Sequence, residues 1–153
     1  MSRRLKQSAV VFVVVFAGAQ LVRPARLNPP IDPTRTIQAH VGTTTELASI
    51  LNRSCGDCHS NATMWPWYTQ VAPVSWVMAR TVAEGRKAVN FSEWNTYSPD
   101  QQRALLALSC DDASAGRMPG PWTRLRPETQ LSSQDVEAIC AAGRQAEAHE
   151  AQP

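Results

Sequence analysis

Metal-binding side chains are scarce in this chain. Its 153 residues hold three histidines and four cysteines. Cys110 and Cys140 stand alone in their neighbourhoods, as do His40 and His149. A structural zinc site takes four ligands, usually as two separated pairs, and a second pair is missing. No strand patterning stands out, and no apolar strand run precedes Cys55. The βαβ setting of a thioredoxin-type Cys-x-x-Cys motif is therefore absent. There are no internal repeats or low-complexity runs, and the length suits one domain. A basic excess is also lacking. The net charge of +2 includes Arg3, Arg4 and Lys6; beyond Ala19, 12 Lys+Arg face 13 Asp+Glu. That balance leaves no electrostatic footprint for nucleic acid.

What is present begins with a targeting segment. Arg3, Arg4 and Lys6 form a positive n-region. An apolar run from Ala9 to Val22 follows, broken only by Gly18 and Gln20, and Ala17-Gly18-Ala19 is an A-x-A cleavage pattern. The run is short of the ~20 apolar residues that span a bilayer. Residues 1–22 are thus either a signal peptide cleaved after Ala19 or a retained anchor, with Arg23 and Arg26 snorkelling at its far end. Either outcome exports the bulk of the chain, to a bacterial periplasm or an equivalent compartment, with the n-region left inside. Residues 23–42 open with four prolines in RPARLNPPIDP and read as a semi-rigid spacer.

Cys55-Gly56-Asp57-Cys58-His59 carries the chemistry. It reads C-x-x-C-H, the attachment signature of a c-type haem. Two thiols one helical turn apart can add across the two vinyl groups of one porphyrin. The following imidazole can then ligate the iron. Cys55 and Cys58 are the expected attachment points and His59 the proximal ligand of one covalent haem c.

The surrounding pattern is helical over 43–146. A helix over Thr45–Asn52, with N-caps among Thr43 to Thr45, feeds the motif. The segment from Trp65 to Tyr68 breaks regularity at Pro66 and reads as a rigid loop at the haem edge, with Trp65 or Trp67 against the porphyrin. A second helix runs from Pro73 or Val74 to about Ala88, with Val74, Val77, Met78, Thr81 and Val82 on its inner face. Val89 to Trp94 form a turn. Ser98, Pro99 and Gln101 form a capping box for a third helix, whose inner face is Ala104, Leu105 and Leu108. A fourth starts near Ser132 or Ser133, with Val136, Ile139, Cys140 and Gly143 inward. Residues 147–153 read as a frayed tail. The expected fold is all-α: four or five short helices around a covalent haem, as in small c-type cytochromes, behind an N-terminal signal or anchor helix.

Single-haem carriers often close the sixth iron position with a Met thioether. Met64 is too near His59 in sequence to cross the haem, and Met78 sits on a core stripe. Met118 lies in the irregular loop 116–121 (GRMPGP), far enough along the chain to reach the distal side, and is the expected sixth ligand. His40 or an open site are the alternatives. Arg80, Arg86, Asn90 and Trp94 are candidate donors to the haem propionates.

The runs RPARLNPP, CGDCHSNATMWPWYTQVAPVSW and EGRKAVNFSEW, the Met118-Pro119 pair and LSSQD together resemble the small haem-binding domain family of bacterial exported proteins. The resemblance covers Arg23 to about Gly143. It implies a single-haem c-type protein with an N-terminal signal or anchor, and places Met118 at the family's Met-Pro position. Two departures stand out. Arg126 replaces a His that many relatives carry before the proline corresponding to Pro127, and Cys110 and Cys140 are unusual for the family. In an exported protein two leftover thiols are expected to pair, joining the third and fourth helices.

The leading functional expectation is a one-electron carrier that meets redox partner proteins transiently. The alternatives are a haem-based sensor or gas-binding module with an open distal site, and a fixed haem subunit of a membrane redox complex. An enzyme of the peroxidase type is not expected, because no distal acid–base pair is evident.

Overall fold

A computed structural model describes residues 2–41, 44–121, 123 and 126–150, with the side chains of 147–150 set aside. Thr43, one of the candidate N-caps, and residues 151–153 lie outside the described residues. All regular structure among them is helical. Helix α1 spans Arg3–Ala19, α2 Ile37–His40, α3 Thr45–Ile50, α4 Gly56–His59, α5 Val74–Ala88, α6 Pro99–Ser114 and α7 Ser133–Glu150. Short 3₁₀ turns over Pro33–Arg35, Trp67–Gln70, Phe91–Thr96 and Pro127–Thr129 fill the connections.

The ends of the helices are where the sequence signals place them. Thr44 caps α3, its hydroxyl accepting from the Leu47 N–H at 3.1 Å. The capping box at α6 is complete: Ser98 Oγ accepts from the Gln101 N–H and Gln101 Oε1 from the Ser98 N–H. Gly116, at φ 65°, takes the left-handed conformation that closes α6. In the stretch expected as a frayed tail, the backbone of residues 147–150 continues α7 to Glu150.

One core joins α2, α3, α6, α7 and the 91–96 turn. It is built from Ile37, Leu47, Ile50, Trp94, Leu106 and Ile139, each no more than 6 % exposed. Helices α6 and α7 form the most extensive pairing, and Cys110 and Cys140 are joined across it by a disulfide with a Cα–Cα distance of 4.7 Å. The expected inward face of α7 is borne out at Ile139, Cys140 and Gly143, joined by Ala142.

Two helix faces differ from expectation. In α6, Leu106 and Ala113 are buried while Ala104 is exposed and Leu108 is 53 % exposed. In α5, Ser75 and Val82 are buried and Val77 is 39 % exposed. The reason in α5 is steric. At Gly85 the helix packs backbone-close to α4, against Cys58.

The proline-rich stretch does not stand off from the domain. Arg26 Nη1 donates to the Thr69 carbonyl at 2.9 Å, Asn28 Nδ2 to the Thr63 carbonyl at 2.8 Å, and Ile37 is a core residue at 1 % exposure. Side chains fasten it to the surface of the domain.

Candidate functional site

Helix α3 passes into the Cys-x-x-Cys-His segment through one wide turn. Over Leu51–Cys55 the helix loosens into a π turn, closed by the Gly56 N–H on the Leu51 carbonyl, and α4 then carries Gly56 to His59. Such turns recur at functional sites. Cys55 and Cys58 are free thiols, both half-buried.

Asp57, inside the motif, ties it down in three directions. Its Oδ1 accepts from the Met64 N–H at 2.9 Å, and its carbonyl from Thr63 Oγ1 at 2.7 Å. Its Oδ2 pairs with Arg126, which also holds Glu128 at 3.0 Å. Arg126 is therefore spent on clamping the motif. Next to it, Arg53 bridges to Asp135 at 2.5 Å and to the Gln130 carbonyl at 3.0 Å, fixing the same corner to the start of α7.

His59 is oriented by the backbone. Its Nδ1 lies 3.2 Å from the Val89 carbonyl. A carbonyl only accepts, so Nδ1 carries the ring proton and Nε2 keeps its lone pair, the arrangement an iron ligand needs. Burial pushes the imidazole pKa down; the Val89 and Gly85 carbonyls and the Asp112 carboxylate pull it back. The Phe91 ring lies 5.9 Å away. Burial, reinforced by Cys58 and opposed by Arg53, pushes the Cys55 thiol up to about 11. Burial and Asp57 raise Cys58 against the pull of Arg86. At neutral pH the set is two protonated thiols one turn apart and a neutral imidazole with Nε2 free. That donor set fits a covalently held haem. Among the described residues no group of three His, Cys, Asp or Glu side chains could hold a metal ion by itself.

Gly85 on α5 makes the fit of the two helices possible. A Cβ added there would lie 2.5 Å from the Cys58 carbonyl oxygen and 3.0 Å from its carbon. Arg86, beside it, is a hub. Its Nε donates to the Ser60 carbonyl at 2.7 Å, Nη1 to the Leu27 carbonyl at 2.7 Å, and Nη2 to Thr63 Oγ1 at 2.8 Å and Asn28 Oδ1 at 3.1 Å. One guanidinium thus joins α5, the loop after His59 and the N-terminal stretch. Arg86→Ala is expected to cost about 3 kcal/mol, since charged hydrogen bonds carry more than neutral ones and their acceptors would be left bare. Arg86→Lys should recover only part, because an ammonium cannot span the fork. A denaturant midpoint unchanged in Arg86→Ala would refute the hub.

The propionate candidates divide. Arg86 has four of its five N–H donors engaged, and Asn90 is spent on Asn61 Oδ1 at 2.9 Å and the Ser92 N–H at 3.0 Å. Arg80 is exposed. Trp94 is 1 % exposed, and its Nε1 is a buried donor without a hydrogen-bond partner. Of the aromatic pair, Trp65 is half-buried and donates from Nε1 to Asn28 Oδ1 at 3.2 Å, while Trp67 is 78 % exposed and edge-on to Tyr68.

Met118 sits where α6 ends. The Arg117 and Met118 N–H groups both donate to the Asp112 carbonyl, at 2.9 and 3.2 Å, and Arg117 Nε holds the Asp112 carboxylate at 2.7 Å. The loop is folded back onto the residue whose charge acts on His59. Met118 is 41 % exposed, and Leu108 on the same end of α6 is also uncovered. His40 is exposed and bonds the Thr34 carbonyl at 3.1 Å.

The Haem-binding domain family model matches residues 14–143. The chain belongs to that family, and its function is to bind haem. No curated protein and no solved structure gives a significant match. Sequence reasoning missed Gly85 and the Val89 carbonyl. A glycine inside an otherwise regular helix was the available signal for the first; a backbone acceptor has no sequence signature.

Proposed function

We propose that this is an exported c-type haem protein working as a one-electron carrier, with its haem held by thioethers to Cys55 and Cys58 and its iron between His59 and Met118. The observation that carries the reading is the donor set: free thiols one turn apart, followed by an imidazole whose Nδ1 is committed to Val89 and whose Nε2 is free. A bound haem supplies an Fe(III)/Fe(II) couple. The chain's own residues orient and protect it. Val89 sets the imidazole tautomer, Phe91 and the buried core keep the proximal side apolar, and the Asp112 carbonyl holds the Met118 loop. Leu108 and Met118 are apolar side chains that α6 leaves uncovered and that a porphyrin would cover. Redox partners would meet the protein transiently, as small electron-transfer interfaces do.

The ferric protein should show the weak far-red absorption band of methionine–iron ligation. Met118→Ala should lose that band and lower the reduction potential, because a thioether ligand raises it. Tight carbon monoxide binding by the ferrous unmutated protein, with no such band, would favour an open-site sensor instead.

A further inference from the structure

From Ala9 to Ala19 helix α1 is apolar all round. From Val10 to Phe16 every large side chain is 42–70 % exposed, and no residue of the helix is buried. A helix of that kind needs an apolar surrounding on every side. Yet α1 is not loosely attached to the domain. The Gln20 amide donates to the Phe16 carbonyl of α1 at 3.0 Å and to the Ala72 carbonyl at 3.4 Å, while its Oε1 accepts the Ala72 N–H at 2.9 Å. Two residues on, the Trp76 indole donates to the Val22 carbonyl at 2.7 Å. One side chain therefore rivets the last turn of α1 to the corner where the 67–70 turn meets α5. Of these four hydrogen bonds, the one to Phe16 ties α1 itself to the joint, and cleavage after Ala19 would remove it.

That corner is itself apolar and open. Leu21 is 85 %, Val22 64 %, Trp76 38 % and Val71 36 % exposed. Arg23 follows directly and is exposed. Length completes the argument. The 17 residues of α1 give about 25 Å of helix, short of the ~30 Å of a bilayer's hydrocarbon, and among the described residues no helix is long and apolar enough to cross a membrane. An embedded α1 must then draw the adjoining apolar residues down to the interface, where indoles and arginines are favoured.

We infer that α1 is retained rather than cleaved, and that the corner formed by Leu21, Val22, Val71 and Trp76 rests on a phospholipid bilayer, holding the domain against the membrane with no spacer. The inference rests on the export reading but is independent of what the haem does. Intact mass of the full-length product from the membrane fraction tests retention: a chain beginning at Gln20 overturns it, and a chain beginning at or near Met1 supports it. Full-length protein reconstituted into vesicles of phosphatidylethanolamine and phosphatidylglycerol, carrying a photoactivatable carbene lipid, tests the docking. Insertions mapped to Leu21–Val22 and to Val71–Trp76 support it. Label confined to α1 means an anchor with a freely suspended domain and overturns it. Cross-linking of Trp76 in native membranes to another protein rather than to lipid overturns it in favour of a partner subunit. Gln20→Ala should keep the label on α1 and lose it severalfold at Trp76. None of these readouts uses the haem spectrum, so failure of the electron-carrier reading leaves them intact.

Discussion

Gly85→Ala is expected to yield protein with little or no stably held haem. Inside a helix the substitution ought to help by about 1 kcal/mol, since glycine is the poorer helix former. Here the added Cβ would lie 2.5 Å from the Cys58 carbonyl oxygen, 3.0 Å from its carbon and 3.1 Å from its Cβ. Two of those atoms are backbone and cannot rotate aside. The helix must move, and overpacking of a tight contact costs about 1–3 kcal/mol or more. Movement of α5 has a second consequence. Its last carbonyl bond, Val89 N–H to Gly85 at 3.0 Å, places the Val89 carbonyl that orients His59. A shift at Gly85 therefore misplaces the His59 imidazole as well as the Cys58 turn. Gly143→Ala is the matched control. There the new Cβ would meet Leu106 at 3.7 Å, an ordinary contact, and haem content should be unchanged. Haem per chain, measured from the pyridine haemochrome, decides the matter. Equal loading in Gly85→Ala and the unmutated protein would sink the idea.

The contrast between these two glycines shows what can be read from a sequence and what cannot. The Cys55-to-His59 motif, the α6 capping box and the start of α7 are local. Their meaning lies within a few residues, and they were legible. Gly85 means something only because Cys58 lies against it, 27 positions earlier in the chain. Periodicity alone put Val77 and Leu108 on inner faces, since a hydrophobic stripe cannot say which side a backbone-close neighbour will occupy. Arg86 reads as a candidate propionate donor, and only the fold reveals four acceptors converging on it. The prolines of 23–33 read as a stiff extended path. Whether that path stands free or lies along the domain depends on Arg26, Asn28 and Arg86 finding carbonyls far away in sequence. Met118 is intermediate: its Pro-flanked loop was legible, its tether to Asp112 was not.

Replacing both Cys110 and Cys140 by alanine is expected to lower the melting temperature by about 10 °C. The bridge closes a loop of 30 residues, for which the loss of unfolded-chain entropy corresponds to roughly 3–4 kcal/mol. In a protein of this size each kcal/mol moves the melting point by about 2–4 °C. Alanine is chosen because Cys140 is buried at 8 % exposure, and serine hydroxyls there would add a desolvation cost unrelated to the bond. The effect should be uneven across the molecule. Helices α6 and α7 stay packed through Leu106, Ile139 and Ala142, so the fold persists. The last turn of α6 is different. It carries Asp112, two residues from Cys110, and the Asp112 carbonyl holds both Arg117 and Met118. Loosening that turn frees the Met118 loop before it unfolds the domain. The far-red methionine band should therefore fade at a lower temperature than helical circular dichroism in the double variant, and together with it in the unmutated protein. Added dithiol should convert the second behaviour into the first. Coincident fading in both proteins, with equal melting points, would mean the bond does not brace the Met118 loop.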